Sequence, residues 1–279
     1  MNDRFLSETK TEQFRQHLIQ SEKSAATVEK YLRDVRAFSA YLDVETVSKE
    51  NVLKYKQHLQ DRHYAVRSIN SMLASLNSIF QFLGWTDCKV KSIRRQRQVY
   101  CTEEQELTKA EYQRLLDAAK KNPKLQLIMQ TICATGIRVS ELRYFTIEEI
   151  QHGEIHVDCK GKTRIIMVPG KLRKRLTDFA KRSNIRSGPI FLNCFGRPIN
   201  RSSIWAQMKA LCKEASINPR KVFPHNLRKL FARTFYGIDK DIAKLADILG
   251  HSSIETTRIY IITTGSEHRR KMEKLGLVR

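Results

Sequence analysis

Apolar residues in the first ninety positions return at helical spacing. Val28, Tyr31, Leu32, Val35, Phe38 and Leu42 form one stripe, and Ser24 precedes it as a start signal. Ile69, Met72, Leu73, Leu76, Ile79, Phe80 and Leu83 form a second stripe, which Gly84 ends. Shorter patterns near 7–20 and 49–61 complete a predicted four-helix unit. Its polar faces carry Arg33, Arg36, Lys54, Lys56, Arg62 and Arg67, which suit either a solvated surface or contact with a polyanion.

From Thr86 to Glu106 the helical pattern fails and charge rises. Lys89, Lys91, Arg94, Arg95 and Arg97 crowd together with Val90 and Ile93 between them, which fits an extended basic strap or a linker. Thr108-Lys-Ala-Glu111 is a capping box that opens a second domain. A helix over about 124–134 is broken at Gly136, and another is expected from Ile137. Glu154–Cys159 and Thr163–Val168 read as a hairpin turning at Lys160-Gly161-Lys162, and Pro189 to Asn193 as a third short strand. After Ser202 the pattern is helical, with Pro219 and Pro224 as punctuation. The fold class is mainly α: an all-helical amino-terminal domain over 1–86, a basic linker over 87–106, and a mainly helical domain with a small antiparallel β-sheet over 107–279.

The formal net charge of +22, from 51 Lys+Arg against 29 Asp+Glu, adds a partner to this outline. Residues 1–102 hold 17 basic and 11 acidic residues, so the excess is shared between both domains. Such a balance favours a phosphate polymer, because each phosphate met by Lys or Arg releases counterions. A ribosome-associated protein would share the charge. Six cysteines without a C-x-x-C pair argue against a zinc site or a disulfide framework. The amino terminus lacks the apolar region of a signal peptide, and no apolar run is long enough to span a membrane. A cytoplasmic protein is expected.

The candidate chemistry lies between Thr135 and Tyr260. Arg138, Lys160, His225, Arg228, His251 and Tyr260 are residue types suited to a phosphodiester: guanidiniums for its charged oxygens, a lysine to protonate a leaving alkoxide, a phenol to attack. No acidic cluster accompanies them, so no metal ligands are identified. Each position has a plainer reading. Glu141 can hold Arg138 in a salt bridge, or orient it while leaving donors free. His225 and Arg228 share a helix face after Pro224, as a capping histidine beside a surface arginine also would. Ser252 to Glu255 reads as a capping box beside His251. Ile259, Ile261 and Ile262 flank Tyr260, so spacing alone does not separate it from a core tyrosine.

Three strings taken together change that balance. Ala134-Thr-Gly-Ile-Arg-Val-Ser-Glu-Leu142, His225-Asn-Leu-Arg228 and Leu249-Gly-His-Ser-Ser-Ile-Glu-Thr-Thr-Arg-Ile-Tyr260 resemble, in order and spacing, the signature boxes of the tyrosine recombinases, the phage-integrase family. Ser24, Thr27 and Tyr31 are similar to the opening of that family's core-binding domain. The resemblance covers nearly the whole chain and implies a DNA-strand transferase of Xer or small-integrase size, with no arm-binding domain ahead of the helices.

By that resemblance Tyr260 would form a 3′-phosphotyrosyl link, Arg138 and Arg228 would clamp the scissile phosphate, His251 would add a hydrogen bond, and His225 would act as base. Lys160 matches the family's general acid best, with Lys162 one register step away. Glu141 would orient Arg138. Lys89, Lys91, Arg94, Arg95, Arg97 and Lys162 are candidate DNA contacts. No cofactor or metal is implied. The implied partners are a double-stranded DNA recombination site, other copies of the chain in a homo-tetramer on two sites, and accessory DNA-bending proteins. Lys229 and Leu230 depart from the family's usual histidine and small hydroxyl residue, which bears on packing beside Arg228. A nicking-closing enzyme like the type IB topoisomerases, or a catalytically idle DNA-binding regulator of the same fold, are the competing readings.

Overall fold

The computed structural model describes residues 4–43, 45–94, 106–159, 162–262, 269–270 and 272–275. It divides into two compact units, Met1–Arg97 and Gln98–Arg279.

In the first unit the two predicted stripes become helices α2 (Ala25–Leu42) and α4 (Val66–Phe82), and the shorter patterns become α1 (Glu8–Gln20) and α3 (Lys49–Asp61). Ser7, Ser24 and Ser48 stand at the N-caps of α1, α2 and α3, and each side-chain oxygen accepts a first-turn amide that has no intrahelical partner. The stripes meet in a core where Phe14, Val35, Phe38, Val52, Leu76, Ile79 and Phe80 are fully buried. One carboxylate joins them: Asp34 is buried but accepts from Ser75 Oγ at 2.8 Å and pairs with Lys30 Nζ at 2.8 Å, as a buried charge requires.

Beyond α4 a short 3-10 turn, Thr86–Cys88, leads into an extended segment as far as Arg94. Two asparagines of α4 set its path. Asn77 accepts from the Val90 amide at 3.1 Å and donates to the Val90 carbonyl at 2.9 Å. Asn70 repeats the pattern on Ile93 at 2.8 and 3.0 Å. Carboxamide side chains thus satisfy backbone groups that a strand partner would otherwise meet, and Val90 is turned into the core.

The second unit opens with α5 (Lys109–Ala118), whose Thr108–Glu111 capping box is present in both directions. Helix α6 (Pro123–Thr135) crosses the core and packs on α8 (Gly170–Arg182) and α10 (Pro224–Ile238). Between them come α7 (Ile147–His152), β1 (Glu154–Cys159), β2 (Lys162–Met167) and α9 (Arg201–Ala210). The strands pair antiparallel with Cys159 opposite Lys162, so Lys162 is already strand. Helices α11 (Ile242–Leu249) and α12 (Ile254–Ile261) close on α10 around Ala232, Leu245, Leu249 and Tyr260. No helix among the described residues is long and apolar enough to cross a membrane.

Three local expectations are corrected. Pro189 to Asn193 is not a strand: Thr146 meets Pro189, and Leu192 meets Pro198, only as isolated bridges. Proline has no amide to extend a ladder. After Gly136 the chain forms a 3-10 helix, Val139–Tyr144, with Arg138 as its extended N-cap rather than as a first-turn residue. Helix α12 is capped by Ser253, whose hydroxyl accepts from the Glu255 amide, so the cap falls one residue later than the Ser252–Glu255 spacing suggests.

Asn77→Ala is expected to remove the hydrogen-exchange protection of the Val90 amide while core amides of α2 keep theirs. Exchange read by mass spectrometry or NMR checks this, and unchanged protection at Val90 would count against the asparagine clamp.

Candidate active site: a pocket of unneutralised guanidiniums

Gly136 ends α6 with φ of +66°, and a Cβ there would lie 2.3 Å from the Phe231 ring. Two constraints therefore demand glycine at the turn that delivers Arg138. Arg138 is held at both ends by Glu141. The Arg138 amide donates to Glu141 Oε2 at 2.7 Å and Nη1 donates to Oε1 at 2.9 Å. Nη2 donates to the Gly250 carbonyl at 3.1 Å. The arginine stays partly exposed while Glu141 is buried.

Arg228 lies one turn into α10 and is 1% exposed, yet among the described residues no carboxylate touches it. Nη1 donates to the Gly136 carbonyl at 2.5 Å, and Nη2 to the Leu249 carbonyl at 2.6 Å. Those carbonyls belong to the carboxyl ends of α6 and α11, where the helix dipole is negative. They take up the two Nη groups without cancelling the charge, while Nε is buried with no hydrogen-bond partner among the described residues. Burial, and then the nearby Arg138, pull the Arg228 pKa down to about 10, which still leaves it cationic at neutral pH.

Arg228 Nη2 also lies 2.9 Å from His251 Nε2. A guanidinium can only donate, so Nε2 accepts, and the ring proton sits on Nδ1 facing Thr257 Oγ1 at 2.8 Å. Burial and the charges of Arg228 and Arg138 push the His251 pKa down to about 4. Burial, followed by Arg228 and Lys229, does the same for His225. Both imidazoles are neutral at pH 7. The Tyr260 ring stands edge-on to both, with centroids 5.2 Å from His225 and 5.0 Å from His251, and is 8% exposed.

Arg138, His225 and Arg228 line a pocket of about 400 Å³ together with Arg143, Asn200 and Arg201. Among the described lining residues there is no carboxylate. Net positive charge, the neutral His225 imidazole and partly buried walls suit it chemically to a phosphate-sized anion.

Arg138, His225, Arg228, His251 and Tyr260 are therefore brought into one neighbourhood, with Glu141 beneath Arg138. Lys160 lies outside the described residues, as do Arg95 and Arg97; for Lys162 only the strand backbone is described. In the first unit the Lys89 ammonium donates to Gln81 Oε1, the Lys91 carbonyl accepts from Lys56, and Arg94 is exposed.

Sequence reasoning missed Thr257 and Arg164. Arg164 sits on β2 opposite the buried Val157, on the inward face it shares with Ile166, while Ile165 and Met167 point outward. Because Ile165, Ile166 and Met167 make both faces of the strand apolar, the inward place of Arg164 could be read only from the partner strand. Thr257 carried no signal beyond helical spacing.

Comparison with known proteins assigns a class to this architecture. The model described as the phage integrase family matches residues 105–266, and that of the phage integrase N-terminal SAM-like domain matches 11–87. A similar protein is the tyrosine recombinase XerD of Listeria monocytogenes, 28% identical over 266 residues, covering 86% of this chain and 89% of that one. The tyrosine recombinase XerA of Pyrococcus furiosus is 26% identical over 286 residues, covering 100% and 98%. Among solved structures, a lambda integrase (75–356) dimer bound to a COC′ core site superposes with a TM-score of 0.75 at 17% identity, over 93% of this chain and 96% of that one. The fold and the family matches define a site-specific recombinase of the tyrosine class. The chain belongs to the phage integrase family.

The depressed histidine pKa values fix a pH dependence. Folding favours the neutral rings, so their contribution to stability is complete above the unfolded value near 6.5 and is lost as pH falls toward about 4. His225→Gln and His251→Gln are each expected to flatten the fall in urea midpoint between pH 6.5 and 4. Equal slopes in wild type and both variants would contradict the assignment.

Proposed function

We propose that this recombinase cleaves and rejoins DNA at specific sites through a 3′-phosphotyrosyl link to Tyr260, without metal or nucleotide. Support comes above all from Arg138 and Arg228: two guanidiniums that keep their charge face one pocket, beside two neutral histidines and a tyrosine. The scissile phosphate enters the pocket, and its non-bridging oxygens meet the two arginines. The Tyr260 phenol, released from its buried position, attacks phosphorus as neutral His225 accepts its proton. The P–O bond to the 5′-oxygen breaks, and Lys160 donates the proton that makes a 5′-hydroxyl. Attack by the 5′-hydroxyl of a partner strand reverses these steps, so bond energy is conserved and no hydrolysis is needed.

His251 enters with a constraint. Its Nε2 accepts from Arg228 in the free protein, so donation to phosphate requires a proton on Nε2. An arriving anion supplies the drive, because negative charge raises an imidazole pKa.

The chain divides, on this reading, at 1–86, 87–106 and 107–279, and both domains grip one duplex with the basic segment tracking phosphates. The working assembly is a homo-tetramer on two DNA sites in the cytoplasm.

A duplex nicked beside the cut site tests the chemistry, because the short released strand diffuses away and traps the adduct. Tyr260→Phe is expected to abolish the protein–DNA adduct on denaturing gels while site binding by gel shift persists. Arg138→Ala is expected to slow adduct formation by about 10²–10³-fold, the usual loss for one preorganised donor to a developing charge. A normal rate in Arg138→Ala, or an adduct in Tyr260→Phe, would contradict the assignment.

A further inference from the structure

Arg164 lies outside the strings that carry the family resemblance, yet it joins three separate parts of the site. Its Nη2 donates to Glu141 Oε2 at 2.5 Å, and its Nη1 donates to the Ile248 carbonyl at 2.5 Å. The first bond reaches the carboxylate that holds Arg138, and the second reaches the carboxyl end of α11, just ahead of His251. The contact is close enough to exclude a side chain at Gly250, where a Cβ would lie 2.7 Å from Arg164 Cδ and where φ is +63°. Arg138 Nη2 completes the circuit by donating to the Gly250 carbonyl.

Charge shows what this achieves. Glu141 alone with Arg138 would form a closed pair and neutralise a guanidinium that faces the pocket. Shared with Arg164, the one carboxylate stands between two cations, and a net positive charge remains. Arg164 also adds to the field that keeps His251 neutral.

We infer that Arg164 is a positioning residue for strand cleavage: bridging Glu141 and the α11 terminus, it fixes the Arg138 fork and the His251 corner relative to one another and leaves the Arg138–Glu141–Arg164 group with net positive charge. The inference rests on the phosphotyrosyl reading above. Arg164 is only slightly exposed and holds its partners from behind, so it acts through Arg138 and not on DNA.

The test compares two versions of the nicked duplex, one with the native scissile phosphate and one with a methylphosphonate there. The methyl group replaces a negative oxygen, so less charge has to be neutralised. Arg164→Ala is expected to slow adduct formation on the native phosphate by at least about tenfold, a little over 1 kcal/mol. Site binding is expected to persist, and the deficit to shrink on the methylphosphonate, as for Arg138→Ala. Arg164→Lys, which restores charge without the two-pronged geometry, is expected to fall between. A wild-type rate in Arg164→Ala, or an equal deficit on both duplexes, would overturn the positioning role. Should wild type itself form no adduct, the phosphotyrosyl reading fails. The positioning role is then decided by NMR of the intact protein. Arg164→Ala is expected to shift the Arg138, Gly250 and His251 amides and to raise the His251 pKa, with α6 undisturbed; unchanged spectra at those three residues would refute it.

Discussion

A cation buried with no carboxylate against it among the described residues, Arg228, is the constraint around which the second unit is arranged. Arg228 would cost several kcal/mol in an apolar interior if its donors were unmet. The chain meets both Nη groups with carbonyls at the carboxyl ends of two helices, and leaves Nε buried without a partner among the described residues. That solution requires α6 and α11 to end beside each other, facing α10, and it requires glycine at the turn after each. Gly136 and Gly250 both adopt positive φ there, and each leaves no room for a Cβ. Neutral acceptors stabilise the guanidinium while leaving its charge available, which a carboxylate would not.

The same logic extends outward. Among the described residues Glu141 is the carboxylate in contact with Arg138, and it is divided between Arg138 and Arg164. The histidines stay neutral because burial and the surrounding arginines oppose a further positive charge. Such a site is electrostatically unsatisfied until an anion arrives, and binding of the anion then changes the protonation preferences of both rings. On the proposed reading, affinity for phosphate and readiness for proton transfer arise from one charge imbalance.

Much of this was legible in the sequence. The four helices of the first unit followed from apolar spacing, with Ser24 as a start signal for the second, because helix period and capping are local. The hairpin was found within one residue for the same reason. The extended segment after α4 was harder: Asn70 and Asn77 lie on a helix, and nothing local says that their carboxamides reach a strap 13 to 23 residues away. After Gly136 a 3-10 helix stands where an α-helix was expected: Arg138 is its extended N-cap, and the Glu141 bonded to the Arg138 amide is itself held by Arg164 from β2, a long-range contact. Tyr260 was indistinguishable from a core tyrosine by pattern, and in the structure it is in fact a buried residue; its assignment came from the order of three motifs. Arg164 was overlooked because the run Arg164-Ile-Ile-Met167 hides which face is inward until its partner strand is known.

The central claim is that the pocket carries positive charge waiting for a phosphate, and the histidines report on it. Orthovanadate, a phosphate-like anion, can be titrated into the protein while the His225 and His251 ring signals are followed by NMR across pH. The account predicts titration from near pH 4 without the anion and a marked upward shift when it binds, absent in Arg228→Ala. Histidine titrations that do not respond to vanadate, or that respond equally without Arg228, would contradict it.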